Sequence, residues 1–307
     1  MRIAVIGAGA IGGAVAAALV GAGHDVVVIA RGQRLAALQA GPLRIEHAGG
    51  VEIVAVRALA PDAPFPPVDM AIICVKAPDL DDAWAILAGK LAGPRLVLTL
   101  QNGVEAHEIA AQALPQATIL AGRVHGFFEL VADAVRHTGV PPSILLGCTR
   151  GDAALAERTV AEAFAASPIP VEIAADIRRA LWEKFLLSAG LGSVAAALDI
   201  PAGSVSDDPE GSPLLHAAMD EIRALAQHCG VPLLASDVAG MLAFAQTFPA
   251  GVTTSLQRDL AAGRPGEYDA LTAAVGRIAR RHGFALRVFP RIEAMMAARW
   301  PAVIAPR

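Results

Sequence analysis

The 307-residue chain is poor in cysteine, in aromatic residues and in excess charge of either sign. Its three cysteines, Cys74, Cys148 and Cys229, are widely separated, so they predict neither a disulfide framework nor a metal site and are expected to be reduced, buried thiols. Aromatic residues make up 4% of the chain, and the net charge of −4 comes without any dense basic run. This composition argues against a nucleic-acid partner.

Apolar runs of membrane-spanning length are also missing. The chain is 55% hydrophobic with a mean hydropathy of +0.51. However, the apolar stretches at residues 11–23 and 185–198 are each shorter than the ~20 residues that cross a bilayer, and we interpret them as buried helices. Met1 leads directly into a predicted strand, which leaves no room for a signal peptide. We therefore expect a cytoplasmic protein without a membrane partner.

The most informative motif lies near the N-terminus, where strand periodicity changes to helix periodicity. Residues 2–6 predict a short buried strand, and Gly7, Gly9 and Gly12 then complete GxGxxG. In a dinucleotide-binding turn these glycines permit the tight turn, the approach of a pyrophosphate to the backbone, and close helix packing. The phosphates then meet free amides at the helix N-terminus. Small residues also serve ordinary helix packing, but the strand–turn–helix context favours a cofactor turn made of Gly7, Ala8, Gly9, Ala10, Ile11 and Gly12.

The end of the second predicted strand bears on the type of cofactor. NAD sites usually carry an acid there, which binds the ribose 2′-hydroxyl, but this chain has Ala30 followed by Arg31. A guanidinium suits a 2′-phosphate, and Arg34 offers a second one nearby. A solvated surface arginine is the alternative interpretation. The pattern favours NADP(H) as the cofactor.

Strand and helix signals alternate up to about residue 175, after which apolar residues recur only at helical spacing. We therefore predict an α/β protein: an N-terminal Rossmann-type dinucleotide-binding domain over residues 1–175, followed by an all-helical C-terminal domain over residues 176–307. The first domain is expected to hold a mostly parallel sheet covered on both faces. Near its end, residues 118–124, 135–137 and 144–146 predict three short strands, with the glycine and prolines at 139–142 forming a turn.

Two polar residues directly follow predicted strands at the same sheet edge. Lys76 comes after the strand at residues 70–75, and Asn102 after the strand at 96–100. Ligands of open parallel sheets bind beyond the carboxyl ends of the strands. There the Lys76 ammonium can approach a cofactor phosphate or ribose, and the Asn102 amide can orient both ribose and substrate. An exposed loop lysine and a turn-forming asparagine are the alternatives, which the shared edge disfavours.

A lysine in the first helix of the C-terminal domain is the catalytic candidate. That helix is predicted over residues 177–198, with Asp176 as its cap and an exposed i,i+4 pair between Arg179 and Glu183. The helical neighbours of Lys184 carry no charge, so partial desolvation is expected to lower its pKa. A lysine tuned toward neutrality can protonate the oxygen that forms when hydride reaches a carbonyl carbon. A lysine that merely extends along an apolar face fits the same pattern.

With these motifs in order, the chain resembles the ketopantoate reductase family over essentially its full length. The matching segments are GAGAIGG, HDVVVIARGQRLAALQ, CVKAPDL, QNGVE, HTG, LWEKF and TSLQRDLAAGRPGEYDAL. The resemblance implies a Rossmann domain joined to a helical domain, with the active site in the cleft between them. It also implies NADPH-dependent reduction of a 2-oxo acid to a 2-hydroxy acid, first of all 2-dehydropantoate (ketopantoate) to pantoate in the pantothenate branch of coenzyme A synthesis.

The same resemblance implies roles for individual residues. Lys184 would be the general acid, Asn102 would contact both substrate and cofactor, and Ser255 and Glu267 would contact the substrate. The two cations at the sheet edge, Arg31 and Lys76, would favour NADPH. By spacing alone, Glu267 is an acid at the start of a helix, where it stabilises the helix dipole, and Ser255 is a turn or cap residue.

Two positions depart from the family pattern. The family usually carries asparagines four and eight residues after the lysine, and their amides help to hold the substrate. This chain has Ser188 and Gly192 there. Ser188 keeps a hydroxyl that can contact the substrate, whereas Gly192 has no side chain. Because a site built on hydrogen bonds discriminates through them, the loss of both amides is expected to alter substrate selectivity.

Three classes of function stay open. The leading one is an NADPH-dependent 2-oxo acid reductase, for ketopantoate or for a different 2-oxo acid. The second is a related β-hydroxyacid-type dehydrogenase working in the oxidative direction, and the third is a nonenzymatic NADPH sensor. A sensor would not need Lys184 and Glu267, so their presence favours an enzyme. The unusually apolar C-terminal helices suggest a homodimer.

Overall fold

The computed structural model describes residues 1–76, 79–87 and 91–304. It divides into two units, one made of Met1–Gln101 and Glu105–Ile177 and the other of Asn102–Val104 and Arg178–Arg307. Ala77 and Pro78 of the CVKAPDL motif, and the last three residues of the predicted C-terminal domain, lie outside the described residues.

The first unit is built on one mixed sheet. Its strands, in chain order, are β1 Arg2–Ile6, β2 Asp25–Ile29, β3 Leu43–His47, β4 Gly50–Val54, β5 Arg57–Leu59, β6 Val68–Ile73, β7 Leu91–Thr99, β8 Thr118–Val131, β9 Ala134–Arg150 and β10 Val171–Ile173. Within the described part of the chain the spatial order is β4-β3-β9-β8-β7-β6-β1-β2-β5, and β10 pairs with β9. The run from β5 to β8 is parallel throughout, so the carboxyl ends of β1, β2, β6 and β7 lie at one edge.

Both faces of this parallel region are covered, which explains its continuous apolar strands. Helices of the first unit are α1 Ala10–Gly21, α2 Gly32–Ala40, α3 Leu80–Leu87, α4 Ala106–Ala113 and α5 Ala153–Phe164. In β1, Ile3 and Val5 pack in the core formed with α1 and α5, whereas Ala4 and Ile6 pack in the core formed with α3 and α4. This alternation follows from the period of two along a strand. The predicted Rossmann-type fold is confirmed.

The prediction for residues 118–150 is wrong in detail. In place of three short strands, β8 and β9 form one long antiparallel hairpin that turns at Ala132, not at 139–142. His125 pairs with Ser143 and Phe127 with Thr138, so residues 139–142 oppose Gly126 alone. Prolines cannot donate to a strand ladder, and this irregularity in the hairpin accommodates them. Three further elements, β5, α5 and β10, were not predicted.

The second unit is helical, as predicted. Its helical elements are α6 Ile177–Phe185, a π-helical turn Leu186–Leu191, α7 Gly192–Leu198, a 3-10 turn Ala202–Ser204, α8 Gly211–His228, α9 Ala235–Gln246, α10 Ser255–Ala261, α11 Tyr268–His282 and α12 Phe289–Arg299. The first three form the 22-residue segment Ile177–Leu198, which is long and apolar enough to cross a membrane by length and composition. However, 72% of its most apolar window is buried inside the protein, so it is a core helix of this unit.

A buried carboxylate fixes the start of the last helix. Glu221 of α8 is 9% exposed, and its oxygens accept backbone N–H bonds from Arg287 at 2.5 Å, from Val288 at 2.9 Å and from Phe289 at 2.7 Å. The first N–H groups of a helix have no partner within the helix and carry its positive dipole end. Glu221 satisfies them at the N-terminus of α12.

Candidate active site

Two glycines of the GxGxxG turn are required by the fold itself. Gly7 has φ +102°, and a Cβ at this position would lie 2.8 Å from the backbone nitrogen of Val75. A Cβ on Gly12 would lie 1.9 Å from the carbonyl oxygen of Gly7 and 3.0 Å from the Cβ of Cys74. Any side chain at Gly12 would therefore separate α1 from the strand ends, as the motif predicts.

Gly9 differs from its two neighbours in the motif. Its φ is −67°, a value open to any residue, and a Cβ there would meet no described atom within 4 Å. Gly9 is the N-cap of α1, makes no side-chain cap, and is followed by Ala10 and Ile11 without an acid in the first turn. The fold does not require glycine here. The open space beside Gly9 and the free backbone amides at the start of α1 fit a pyrophosphate, which would lie at the positive end of the helix dipole.

The glycine turn lines a cavity of about 670 Å³. This volume lies within the range of small-molecule and cofactor sites. Its walls combine apolar side chains from strand ends and α3 with charged residues, so the structure brings several of the predicted cofactor residues together. The lining includes Gly7, Ala8, Gly9, Ala30, Arg31, Arg34 and Lys76.

Arg31 lies in this cavity but is already engaged with acids. Its Nη2 is hydrogen-bonded to Asp79, and its Nη1 lies 3.3 Å from Asp82 Oδ2. The Arg31 side chain is 60% exposed. The sequence pattern predicts Arg31 as a phosphate ligand but does not show that two carboxylates share its guanidinium.

Arg34 supports the glycine turn from below the surface. Its Nε donates to the carbonyl of Ala8 and its Nη1 to the carbonyl of Asp133, both at 2.8 Å. Nη2 is buried and has no hydrogen-bond partner among the described residues. Burial lowers the pKa of Arg34, while the nearby Asp133 opposes this shift. Only one of its terminal nitrogens is therefore left for the phosphate role suggested by the sequence.

The strand ends that carry Lys76 and Asn102 are tied together by Gln101. Its Nε2 donates to the carbonyl oxygen of Ile73 at 2.8 Å and of Val75 at 3.2 Å. Lys76 follows this clamp and lines the cavity. Beside it, burial raises the pKa of Cys74 to about 12, so this thiol stays protonated at neutral pH. All three cysteines are free thiols, and each of these residues is partly rather than fully buried.

Asn102 and Glu267 meet in the second unit. The Asn102 Nδ2 donates to Glu267 Oε2 at 2.8 Å, although the two residues are 165 positions apart. Glu267 is 9% exposed and is the N-cap residue of α11, but its side chain makes no cap bond. Next to Asn102, Gly103 has φ +94°, and a Cβ there would lie 2.7 Å from the carbonyl oxygen of Ala270. Close packing therefore holds this loop against the start of α11, where Glu267 makes no side-chain cap bond but occupies the position at the positive end of the helix dipole that the sequence predicts.

Lys184 lies one residue before the end of α6, where the helix changes to the π-helical turn. It is half-buried. The predicted pair between Arg179 and Glu183 is present, and Arg179 also contacts Asp237 at 2.7 Å; the pair is partly buried rather than exposed. The role of Lys184 as general acid stays a prediction.

The π-helical turn changes how the residues after Lys184 are displayed. Hydrogen bonds to the fifth residue widen the turn, so positions four and eight further on no longer stack as on an α-helix, and such turns are frequent at functional sites. Within this turn the Ser188 hydroxyl is buried and has no hydrogen-bond partner in the part of the chain that the structure describes. A buried polar group without a partner is costly, which is consistent with a hydroxyl kept for a ligand.

Two predicted substrate-side positions are not explained by packing or capping. A Cβ on Gly192 would meet nothing closer than Leu256 Cδ2, at 4.0 Å. Ser255 is exposed at the first position of α10, and the residue before it, Thr254, is the cap. The Thr254 hydroxyl accepts from the backbone N–H of Gln257 at 3.2 Å, and Gln257 Oε1 accepts from the backbone N–H of Thr254 at 3.0 Å. Of the two structural alternatives given for Ser255, a turn or a cap residue, the cap does not apply.

A further arginine at the same sheet edge was missed from the sequence. Arg123 follows Ala121, which pairs with Thr99 of β7, so it lies at the carboxyl end of the parallel part of β8. Burial lowers the pKa of its guanidinium. The strand context concealed it, because an isolated arginine in an apolar run carries no motif.

Comparison with known proteins gives matches over nearly the whole chain. Residues 3–151 match the family model described as Ketopantoate reductase PanE/ApbA, and residues 176–299 match its C-terminal model. A 2-dehydropantoate 2-reductase of Halobacterium salinarum is 30% identical over 291 residues, which cover 94% of this chain and 95% of that protein.

Solved structures give the same result. A PanE/ApbA family ketopantoate reductase from Ralstonia eutropha JMP134 is 30% identical with a TM-score of 0.85, covering 98% of each chain. A D-mandelate dehydrogenase solved with NADH and anilino(oxo)acetate shares the fold, with a TM-score of 0.88 at 19% identity over 98% of this chain and 99% of that one. Matches to both family models and over both units lead to one conclusion: the chain belongs to the ketopantoate reductase family, whose members are oxidoreductases acting on CH–OH and C=O groups.

Proposed function

We propose that this protein reduces a 2-oxo acid to a 2-hydroxy acid with NADPH, and that 2-dehydropantoate, converted to pantoate for pantothenate and coenzyme A synthesis, is its first candidate substrate. The observation that supports this most directly is the hydrogen bond between Asn102 and the buried Glu267 carboxylate. It joins two residues that the family resemblance assigns to the substrate, and helix capping does not explain it.

The chemistry divides between the cofactor and this chain's residues. When bound, NADPH would supply the hydride for C2 of the oxo acid, and the Lys184 ammonium would donate a proton to the carbonyl oxygen as negative charge develops there. Carbonyl, hydride and proton together give the 2-hydroxy acid and oxidised cofactor. Asn102, held by Glu267, orients the substrate, and the hydroxyls of Ser188 and Ser255 donate hydrogen bonds to it. Gly7 to Gly12, Arg31 and Lys76 bind the cofactor.

A second candidate within the same chemistry is reduction of a different 2-oxo acid. It is favoured by Gly192, which leaves no amide and no close neighbour where the family carries an asparagine. The nonenzymatic sensor and the oxidative dehydrogenase remain the other hypotheses. Two assays separate all four: purified protein is mixed with NADPH and a panel of 2-oxo acids including ketopantoate, or with NADP+ and the corresponding 2-hydroxy acids, and the loss or gain of NADPH absorbance is followed.

Oxidation of NADPH by at least one oxo acid, abolished in Lys184→Ala, supports the reductase. NADPH binding without turnover on any member of the panel contradicts it and favours the sensor, whereas faster oxidation of the hydroxy acids favours the dehydrogenase. We also propose that the protein is a cytoplasmic homodimer. Light scattering of the purified protein tests the oligomeric state.

A further inference from the structure

We propose that Asp79 and Asp82 set the cofactor preference of this protein by competing with the cofactor's 2′-phosphate for Arg31. This inference rests on the proposed function and names residues that tune it. Its starting point is that the guanidinium of Arg31, the first one expected to recognise the phosphate, is engaged by two carboxylates of the same unit.

The competition follows from which atoms are used. Asp79 Oδ1 accepts from Arg31 Nη2, and Asp82 Oδ2 lies 3.3 Å from Arg31 Nη1. A phosphate binds an arginine through a pair of such N–H groups in a fork. The two acids therefore engage both terminal nitrogens of a guanidinium that has five N–H groups, and a 2′-phosphate that approaches these nitrogens competes with the acids for Arg31.

The charge around the cavity points in the same direction. Its lining includes three cations, Arg31, Arg34 and Lys76, and three acids, Asp62, Asp79 and Asp82. Three positive and three negative formal charges give a balance of zero. A phosphate monoester carries about −1.5 to −2 charges at neutral pH, and the side chains that line the cavity offer it no net positive formal charge until the carboxylates are removed.

The size of the effect follows from the exposure of the pairs. The Asp79 and Asp82 side chains are 33% and 72% exposed, and that of Arg31 is 60% exposed. Ion pairs of this kind each change an equilibrium by roughly 1.4- to 5-fold. Loss of both is therefore expected to tighten binding of a 2′-phosphorylated ligand by about 2- to 25-fold. A ligand with a free 2′-hydroxyl, such as NADH, does not need the Arg31 fork and should gain nothing.

The test measures binding of two cofactor fragments by calorimetry: 2′,5′-ADP, which carries the 2′-phosphate, and 5′-AMP, which does not. The variants are Asp82→Asn and the double change Asp79→Asn with Asp82→Asn. Asp81→Asn is the matched control, because Asp81 is exposed, lies in the same first turn of α3 and undergoes the same change of charge. Thermal unfolding curves verify that each variant is folded.

We expect the double variant to bind 2′,5′-ADP about 2- to 25-fold more tightly and 5′-AMP within about 2-fold of the unmodified protein. The gain should shrink at high salt, because the pairs are exposed. Asp81→Asn should leave both ligands nearly unchanged. An unchanged affinity for 2′,5′-ADP, an equal gain for both ligands, or an equal gain in Asp81→Asn would each overturn the proposal.

This outcome is independent of the proposed reaction. Fragment binding requires no substrate, so the carboxylates can be shown to control phosphate binding even if no oxo acid is reduced. In Arg31→Ala the benefit of removing Asp79 and Asp82 should disappear apart from general repulsion. A full gain in the absence of Arg31 would show that the acids repel the ligand without competing for the guanidinium, which also contradicts the proposal.

Discussion

The turn at residues 7–12 and the helix after Lys184 differ in how strongly the fold restricts the residue type at the positions that matter for the site. In the turn, a Cβ at Gly7 or Gly12 would collide with backbone atoms, whereas a Cβ at Gly9 would meet no described atom within 4 Å. After Lys184, Ser188 carries a buried hydroxyl without a described partner, and Gly192 has no neighbour closer than 4.0 Å. Substitutions at Gly7 and Gly12 are therefore opposed by the fold, whereas Ser188 and Gly192 can change without unfolding the protein. Within one family, the cofactor turn is expected to stay constant while the substrate-side helix diverges.

Among the changes that test this contrast, Lys184→Ala has the largest expected effect. If this helix carries the general acid, turnover should fall roughly 10²- to 10⁴-fold while NADPH still binds. Steady-state kinetics and calorimetry measure the two quantities. Arg178→Ala is the control, since it removes an exposed cation from the same helix, and it should leave turnover unchanged. Retained turnover in Lys184→Ala would assign the acid to another residue.

A comparison of alanine at Gly12 and at Gly9 tests the turn itself. Gly12→Ala places a Cβ 1.9 Å from a carbonyl oxygen and should lower the free energy of unfolding by about 1 to 3 kcal/mol or more. Gly9→Ala should leave the free energy of unfolding nearly unchanged and weaken NADPH binding instead. Urea unfolding and calorimetry give both values. Equal destabilisation by the two changes would show that Gly9, like Gly12, is needed only for packing.

The double change Ser188→Asn with Gly192→Asn sharpens the contrast on the helix. If the missing amides relax the pocket, the wild type should prefer another 2-oxo acid over ketopantoate, and the double variant should shift kcat/KM toward ketopantoate by about 10-fold, the value of one good hydrogen bond. The space beside Gly192 admits the first side-chain carbon without a clash. A wild type that already strongly prefers ketopantoate would contradict this interpretation of the helix.

The smallest expected effect is that of Ser188→Ala. Removal of a buried hydroxyl without a described partner should leave the free energy of unfolding unchanged or raise it by up to about 1 kcal/mol, while kcat/KM falls. Opposite signs for stability and activity indicate a group kept for a ligand. A matching loss of both would mean that the hydroxyl stabilises the helix itself.

The sequence was most informative where local chemistry decides the structure. The GxGxxG turn and the buried strand before it follow from glycine freedom and apolar periodicity. It misled at residues 139–142, because Gly139 and two prolines are typical of a turn, whereas pairing with β8 draws them into a strand. Long-range pairing overrides local preference there.

Other parts of the site depend on contacts that a single sequence does not display. The π-helical turn at Leu186–Leu191 has the spacing of an ordinary apolar helix. The hold of Asp79 and Asp82 on Arg31 arises only when α3 meets the end of β2, about fifty residues earlier in the chain. Motifs identified which residues matter, but not which of them already have partners.

The Glu221 carboxylate implies an order of assembly. The helix α12 has 11 residues, which is too short to persist alone in water, and the acceptor for its first amides comes from α8, about 66 residues earlier. Because the acceptor for these amides is supplied by α8, α12 is expected to form only after α8 is in place. Removal of α12 with its first amides would leave the Glu221 carboxylate without these three donors, so a chain shortened before Arg287 should have a less stable helical unit.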